Sequence, residues 1–255
     1  MAKSASAKGR KVTDLDPGVL AQLNAGQVES RTLTDGLAVD FAVLMAAAFP
    51  FAGEDIAGRM DAAKGMGITQ RMAIAAGLLA GVKDAGLAAQ QSHPSDTIRG
   101  WACYTVSQMN DLSLQARLGA IRPLADDHHF GVREWAWLAL RPHLASQPQA
   151  AVALLAAWTT EPSEFLRRYA CEAIRPRGVW CKHIAAFQEE PALGLPVLEP
   201  LRSDPARYVQ DSVANWLNDA AKSQPDWVRG LCDRWLMESP TKATAYICKR
   251  AQRSL

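Results

Sequence analysis

The chain has 255 residues, of which 49% are hydrophobic and 21% are charged, with a formal net charge of +2. This composition is typical of a globular protein that can bury a sizeable core. The longest apolar stretch, from Leu37 to Gly53, is too short to span a bilayer and contains Asp40. We interpret it as a buried helix that ends at Pro50. Alternating runs of β-branched residues are rare and Ala and Leu are frequent, which favours an all-α fold.

The first dozen residues are polar and small and show no secretory signal, so we expect a cytoplasmic protein. Residues 1–13 are basic, and we expect a disordered tail there, followed by a single domain over residues 14–255. The five cysteines include no CxxC pair, which indicates reduced thiols. We therefore expect no metal and no cofactor.

Positive charge is concentrated at the two ends of the chain. Eight of the 28 basic residues lie there, whereas all 26 acidic residues lie between them. Basic ends favour a polyanionic partner, but an acidic middle is unusual for a protein that binds nucleic acid. The basic residues of the ends are Lys3, Lys8, Arg10, Lys11, Lys242, Lys249, Arg250 and Arg253.

One pattern recurs along the second part of the chain: a turn, an apolar anchor, and a helix with small residues inside. The steps between anchors are 34, 34, 43 and 35 residues, which leaves room for two antiparallel helices per unit. Such units stack because neither helix buries its apolar face alone, so the pattern predicts a HEAT-like repeat superhelix, a curved α-solenoid. The anchors are Ile98, Val132, Leu166, Val209 and Thr244.

The turns and the unequal steps add detail to this repeat. Pro162, Pro205 and Pro240 lie in turns before anchors, and we expect each to occupy the first position of its helix. The longest step, between the third and fourth anchors, is interrupted by proline and glycine and is interpreted as an insertion on one rim. Residues 14–91 are helical by pattern but match the repeat poorly, as terminal units often do.

Polar residues recur two and six positions after the anchors, and such positions share one helical face. Stacked repeats would place these faces side by side and form a ribbon along one surface. The ordinary interpretation is a solvated face with pairs such as Arg168 and Glu172. The ribbon contains Glu134, Arg168, Glu172, Asp211 and Asp219.

Tryptophans and arginines crowd the same stretch. Trp180 follows a rigid Arg-Pro-Arg-Gly turn, an unusual place for a core residue, and Trp135 and Trp137 alternate, so at most one of them faces the core. Arginines beside aromatic rings and carboxylates suit a site that grips phosphates and holds a cationic ring. The surrounding basic residues are Arg167, Arg168, Arg175, Arg177 and Lys182.

Four segments make the chain resemble the HEAT-repeat DNA glycosylases of the AlkC/AlkD kind, and the AlkC branch in particular. They read ESRTLTDGLAVDF (29–41), VREWAW (132–137), RRYACEAIRPRGVW (167–180) and SDPARYVQDSVANWLND (203–219). The resemblance implies a concave face that binds duplex DNA and excises cationic alkylated bases such as 3-methyladenine and 3-methylcytosine. Some AlkC-type proteins carry an added immunoglobulin-like domain, which we expect to be missing here because Leu255 directly follows the last repeat.

The resemblance also implies roles for individual residues. Glu134 and Glu172 match the acidic residues of the cleft, Trp180 its aromatic wall, and Arg168 a neighbouring positioning residue. The third acid stays open between Asp211 and Asp219, because both fit the ribbon. Lesion binding is further predicted for Trp137, and DNA binding for Arg175, Arg177, Lys182, Lys249 and Arg250.

The implied chemistry agrees with the residues. An N3-alkylated base is already cationic and leaves without protonation, while the sugar acquires oxocarbenium character. Carboxylates stabilise that charge and orient the attacking water, and a tryptophan face adds about 0.5–2 kcal/mol of cation–π attraction. A cationic target also explains an acidic middle in a DNA-binding chain.

The expected partner is double-stranded DNA containing alkylated bases, bound by a monomer with no membrane and no obligate protein partner. GxGxxG, Walker A, GxSxG and HExxH motifs are absent from the sequence. The main alternative is a non-catalytic helical-repeat scaffold that binds protein or distorted DNA through the same groove. A further alternative is a glycosylase relative that binds branched DNA without releasing bases.

Overall fold

The computed structural model describes residues 15–52, 54–178 and 180–255. The predicted N-terminal tail, residues 1–13, lies outside the described residues. All regular secondary structure in the described part is helical, which confirms the predicted all-α fold. Within that part, no helix combines the length and apolar character needed to cross a bilayer.

The chain forms two compact units, the first ending at Thr105 and the second covering Val106–Leu255. The single domain expected from the sequence over residues 14–255 stays a prediction. The first unit contains α1 (Pro17–Asn24), α2 (Leu33–Ala38), α3 (Phe41–Ala48), α4 (Glu54–Ala62), α5 (Ile68–Leu79), α6 (Leu87–Gln91) and most of α7 (Asp96–Gln108).

The segment ESRTLTDGLAVDF has a structural role inside the first unit. Ser30 donates its backbone N–H and its hydroxyl to the carboxylate of Asp96, at 2.9 and 2.7 Å. Glu29 forms an ion pair with Arg99. Because Asp96 and Arg99 belong to the first turn of α7, the segment fastens the beginning of that helix.

The second unit contains the helices of the remaining repeats. In it α8 packs on α9, α11 packs on α14, and α14 packs on both α15 and α16. The helices are α8 (Leu114–Ala125), α9 (Phe130–Ser146), α10 (Pro148–Ala156), α11 (Glu164–Glu172), α12 (Ala185–Glu189), α13 (Leu195–Leu201), α14 (Arg207–Ala221), α15 (Pro225–Glu238) and α16 (Lys242–Ala251).

The predicted repeat is confirmed in its register. Each of the five anchors is the third residue of its helix, in α7, α9, α11, α14 and α16, and none is more than 2% exposed. After four of the five anchors, the side chain of the next residue donates to the carbonyls five and six residues before it, which satisfies the backbone of the preceding turn. These donors are Arg99, Arg133, Arg167 and Gln210.

The prolines of the turns lie two residues before the first helical position that was predicted for them. Pro162 and Pro240 precede the N-caps Ser163 and Thr241, whose hydroxyls accept from backbone N–H groups of the first turn. Pro205 likewise precedes the N-cap of α14. The predicted first helical position is therefore wrong for all three, because the capping residue must directly precede the helix and the proline shapes the turn before it.

The longest step contains additional structure, as predicted for an insertion. A loop follows α11 and leads to the short helix α12, and a 3₁₀ turn at Pro191–Gly194 connects it to α13. This loop carries the Arg-Pro-Arg-Gly sequence and Trp180, so the insertion places them next to the end of α11.

Candidate active site

Three acidic side chains on three repeat helices are joined by two arginines. Arg168 Nη2 lies 2.7 Å from Oε1 of Glu134 on α9 and 3.6 Å from Oε2 of Glu172 on α11. Arg175 Nη1 lies 2.7 Å from Oε1 of Glu172. Its Nη2 lies 2.7 Å from Oδ2 of Asp219 on α14. We call these five residues the ion chain.

The ion chain runs from a partly exposed end into the protein. The side chain of Glu134 is 37% exposed, whereas that of Glu172 is 4% exposed. Burial by itself raises the pKa of Glu172, but the guanidinium groups of Arg168 and Arg175 outweigh it and hold that pKa below its usual range. Glu172 is therefore ionised at neutral pH although it is buried.

Neighbouring side chains orient both glutamates. The hydroxyl of Ser212 donates to Oε2 of Glu172 at 2.6 Å, a contact that the sequence did not predict because Ser212 lies on another helix, 40 residues away. Trp137 Nε1 donates to Oε2 of Glu134 at 2.8 Å. The indole of Trp137 is only 4% exposed, so it offers little of its face to a base and instead supports Glu134.

Trp180 has a different environment from Trp137. Its side chain is 54% exposed, and its backbone φ of +62° lies in the left-handed region that residues other than glycine rarely adopt. Lys182 is exposed nearby in the chain, and Arg177 donates to the hydroxyl of Ser223 at 2.7 Å. The loop thus presents an aromatic ring to solvent, with basic residues on either side of it in sequence.

Asp211 belongs to a second group of polar residues. The hydroxyl of Tyr246 donates to its Oδ1 at 2.5 Å, and Nε of Arg250 lies 3.6 Å from the same oxygen. The guanidinium of Arg207 lies 3.5 Å from the centre of the Tyr246 ring. We call these four residues the α16 cluster. Exposed Lys249 lies on the same helix as Tyr246.

The repeat itself shows that Arg175 is unusual. The side chain nine residues after an anchor donates to a backbone carbonyl of the next repeat helix. The accepting carbonyl lies seven residues after the anchor of that next helix. Ser107 makes this bond at 2.7 Å, Arg141 at 3.2 Å and Asn218 at 3.0 Å. At the remaining junction this position is Arg175, which donates to Glu172 and Asp219 instead. The ion chain therefore lies at the junction of α11 and α14, where the side chain at this position donates to carboxylates and not to a backbone carbonyl.

The geometry unites Glu134, Arg168, Glu172, Arg175 and Asp219, whereas Asp211 contacts Tyr246 and Arg250. Among the described residues, no group of histidine, cysteine and acidic side chains is arranged to hold a metal ion. The arrangement provides fixed negative charge, partly compensated by arginine, at a point where one carboxylate reaches solvent. Such a site suits a cationic ligand.

The fold and these contacts define a helical-repeat protein with an acidic centre at the junction of α9, α11 and α14. The model of the DNA alkylation repair enzyme family matches residues 131–255, the part that carries this centre. That part of the chain is similar to the DNA alkylation repair enzyme family, and the helical fold is of the AlkC/AlkD type.

Individual proteins show the same likeness. The uncharacterized protein YhaZ of Bacillus subtilis is 41% identical over 117 residues, which are 46% of this chain and 32% of YhaZ. The alkylpurine DNA glycosylase AlkC of Pseudomonas fluorescens, solved bound to DNA containing an abasic site analog, is 26% identical with a TM-score of 0.68. That match covers 94% of this chain and 65% of AlkC. The chain thus spans less than two thirds of both proteins.

AlkD2 from Streptococcus mutans is 19% identical, with a TM-score of 0.57 over 84% of this chain and 97% of that one. At this identity the likeness concerns the fold, which is a helical repeat in both proteins.

Proposed function

We propose that the protein is a DNA glycosylase that hydrolyses the N-glycosidic bond of cationic alkylated bases, of the 3-methyladenine and 3-methylcytosine type, in duplex DNA. The observation that carries this proposal is the ion chain, in which three carboxylates face two guanidinium groups. The remaining contact is with Lys222, whose side chain is half exposed, 3.3 Å from Asp219. Counting Lys222, positive and negative charges are equal in number, but Lys222 is half exposed and therefore screened by water, and Glu134 reaches solvent, so the carboxylates can attract a cationic base.

Each acid has a role that follows from its burial. Glu134, the most exposed of the three, is the carboxylate that meets the base or the attacking water. Glu172 and Asp219, held by Arg175, provide a fixed field that stabilises the oxocarbenium-like sugar without reorganising during the reaction. We assign the third acid to Asp219, because it shares Arg175 with Glu172.

The reaction needs no general acid for the leaving group. As the bond to C1′ breaks, its electron pair moves onto the cationic ring and the base leaves neutral. A water molecule adds to C1′ and passes its proton to a carboxylate or to solvent. The exposed face of Trp180 attracts the cationic ring before the bond breaks.

DNA affinity comes from other residues in this proposal. Lys182 and Arg177 flank the Trp180 loop, and Lys249 and Arg250 are exposed on α16. Phosphate contacts from such side chains position the duplex without reading its sequence. The solved structure of AlkC bound to DNA supports DNA as the partner.

The test is base release from methylated duplex DNA by wild type, Glu134→Gln and Glu172→Gln. The matched control is Glu199→Gln, because Glu199 accepts from Trp235 Nε1 at 3.0 Å and pairs with Arg234, as Glu134 does with its own tryptophan and arginine. We expect each active-site variant to lose about 100-fold or more in single-turnover rate. The control should keep the wild-type rate.

Two results would contradict the proposal. If folded, DNA-bound wild type releases no base above the uncatalysed rate, the glycosylase proposal fails and a binding protein for DNA structure or for another protein is favoured. If Glu199→Gln is as impaired as Glu134→Gln, the loss reflects folding and the ion chain is not the catalytic centre.

A further inference from the structure

Arg141 bridges both ends of the loop that carries Trp180. The residue is 2% exposed and lies on α9. Its Nη1 donates to the carbonyl of Ala173 at 3.2 Å and its Nη2 to that of Arg175 at 2.5 Å, where α11 ends. Its Nε donates to the carbonyl of Lys182 at 3.1 Å, on the far side of Trp180. One planar guanidinium thus fixes the backbone before and after the exposed indole.

The same residue is connected to the acidic end of α9. The guanidinium lies 6.0 Å from the centre of the Trp137 ring, and Trp137 Nε1 donates to Glu134. The loop also packs closely on Arg141: a Cβ added at Gly178 would lie 3.5 Å from its guanidinium and 2.1 Å from Sγ of Cys181. Arg141 therefore lies next to Trp137, which supports Glu134, and next to the loop that carries Trp180.

These contacts exceed what the repeat requires at this position. The equivalent residues Ser107 and Asn218 each donate to one carbonyl of the next repeat helix. Arg141 makes that bond, to Ala173, and two further bonds that reach the loop. A smaller side chain, such as that of Ser107 or Asn218, is enough to bond one repeat helix to the next. The two additional bonds of Arg141 therefore serve to hold the loop.

We propose that Arg141 is a positioning residue of the reaction, which holds Trp180 in register with the carboxylates of α9 and α11. This inference rests on the proposed glycosylase function and assigns a role to a residue that touches neither base nor sugar. Three charge-assisted bonds from a rigid fork restrict the loop from both sides. Displacing a positioned group by about 1 Å lowers a rate by up to about 100-fold.

The test compares Arg141→Gln with Arg117→Gln. Arg117 is a matched control, since it is also buried and donates to three carbonyls around the end of α7. These are the carbonyls of Val106, Ser107 and Met109, at 2.8, 2.9 and 2.7 Å. Thermal melts should show comparable losses of stability. Only Arg141→Gln should lower the single-turnover release of methylated base, by about 10- to 100-fold, with an unchanged Kd for undamaged duplex.

A second readout separates positioning from general stability. If Arg141 acts through Trp180, the double variant Arg141→Gln/Trp180→Ala should be no slower than Trp180→Ala alone, because the two effects are then not additive. Acrylamide quenching attributable to Trp180, obtained by subtracting the matching Trp180→Phe protein, should increase in the Arg141→Gln background. It should stay unchanged in the Arg117→Gln background.

The outcomes distinguish this inference from the proposed function. If wild type releases no base, the glycosylase proposal fails, and unchanged Trp180 quenching in Arg141→Gln would overturn the positioning role as well. If wild type is active but Arg141→Gln matches Arg117→Gln, or its effect adds to that of Trp180→Ala, Arg141 is only structural. Should Arg141→Gln not fold, Arg141→Lys takes its place, since a single ammonium does not bridge three carbonyls.

Discussion

The ion chain and the α16 cluster both combine carboxylates and arginines, with Trp137 bonded to the first and Tyr246 included in the second, yet their environments differ. Glu172 of the ion chain is 4% exposed and bonded from two sides by arginine. Asp211 of the α16 cluster is 40% exposed and meets a tyrosine hydroxyl and a partly exposed arginine. Buried charges interact strongly because little water screens them, whereas the exposed cluster is screened.

This difference explains why similar residues suit different tasks. A fixed, dehydrated field stabilises developing positive charge, and this needs the buried arrangement. Exposed, screened cations such as Lys249 and Arg250 suit phosphates, which are contacted along a surface. Variants of the ion chain and of α16 test whether catalysis and DNA affinity are divided between these two regions.

The largest expected effect separates the two candidate third acids. Asp219→Asn should lower single-turnover base release by about 100-fold, because it removes charge from the ion chain. Asp211→Asn should leave this rate close to that of wild type. Kinetics on the same methylated duplex, with protein in excess, measure both. A slow Asp211→Asn beside a normal Asp219→Asn would assign the third acid to the α16 cluster.

An intermediate effect concerns stability and its dependence on pH. Glu172→Gln should lower the free energy of unfolding by about 1.5–3 kcal/mol at pH 7, because it removes a charged acceptor from buried donors. Since the pKa of Glu172 is held below its usual range, the contribution is complete above about pH 5 and is lost as the pH falls through the lowered pKa.

Urea denaturation of wild type and Glu172→Gln at a series of pH values measures the gap between their free energies of unfolding. The two curves should converge in acid. A gap of constant size from pH 7 to pH 3 would show that the carboxylate does not titrate as the ion chain requires.

The smallest effect is expected in the exposed region. Lys249→Gln should weaken binding to undamaged duplex and reduce the slope of log K against log salt by about 1, with little change in melting temperature. Arg229→Gln, an exposed residue of α15 paired with Asp226, is the control and should leave the slope unchanged. Equal slopes for wild type and Lys249→Gln would remove α16 from the DNA interface.

The repeat could be predicted from the sequence because it depends on local periodicity. The anchors recur at nearly constant steps, and each one is the buried third residue of its helix. His129, which directly precedes α9, accepts from the N–H of Gly131 and caps that helix. The prolines show the limit of such prediction, because whether a proline lies in the turn or two residues later, at the first helical position, depends on backbone angles.

The candidate site could be predicted only in part. Glu134 and Glu172 stand out in the sequence because they share one helical face, but the choice between Asp211 and Asp219 depends on Arg175, a residue 44 positions from Asp219. The burial of Trp137 and exposure of Trp180 likewise depend on neighbours from other helices. The periodicity of one helix does not indicate which side chain of a neighbouring helix will contact it.

By itself, the sequence determined the all-helical repeat, its register and the face that carries the acids, because these follow from hydrophobic period and turn chemistry within a few tens of residues. The tertiary structure alone decided that two arginines join three carboxylates and that Arg141 holds the Trp180 loop. The contacts among these that link different elements join residues 32 to 44 positions apart. They form only when stacked helices bring long side chains and loop carbonyls within hydrogen-bonding distance.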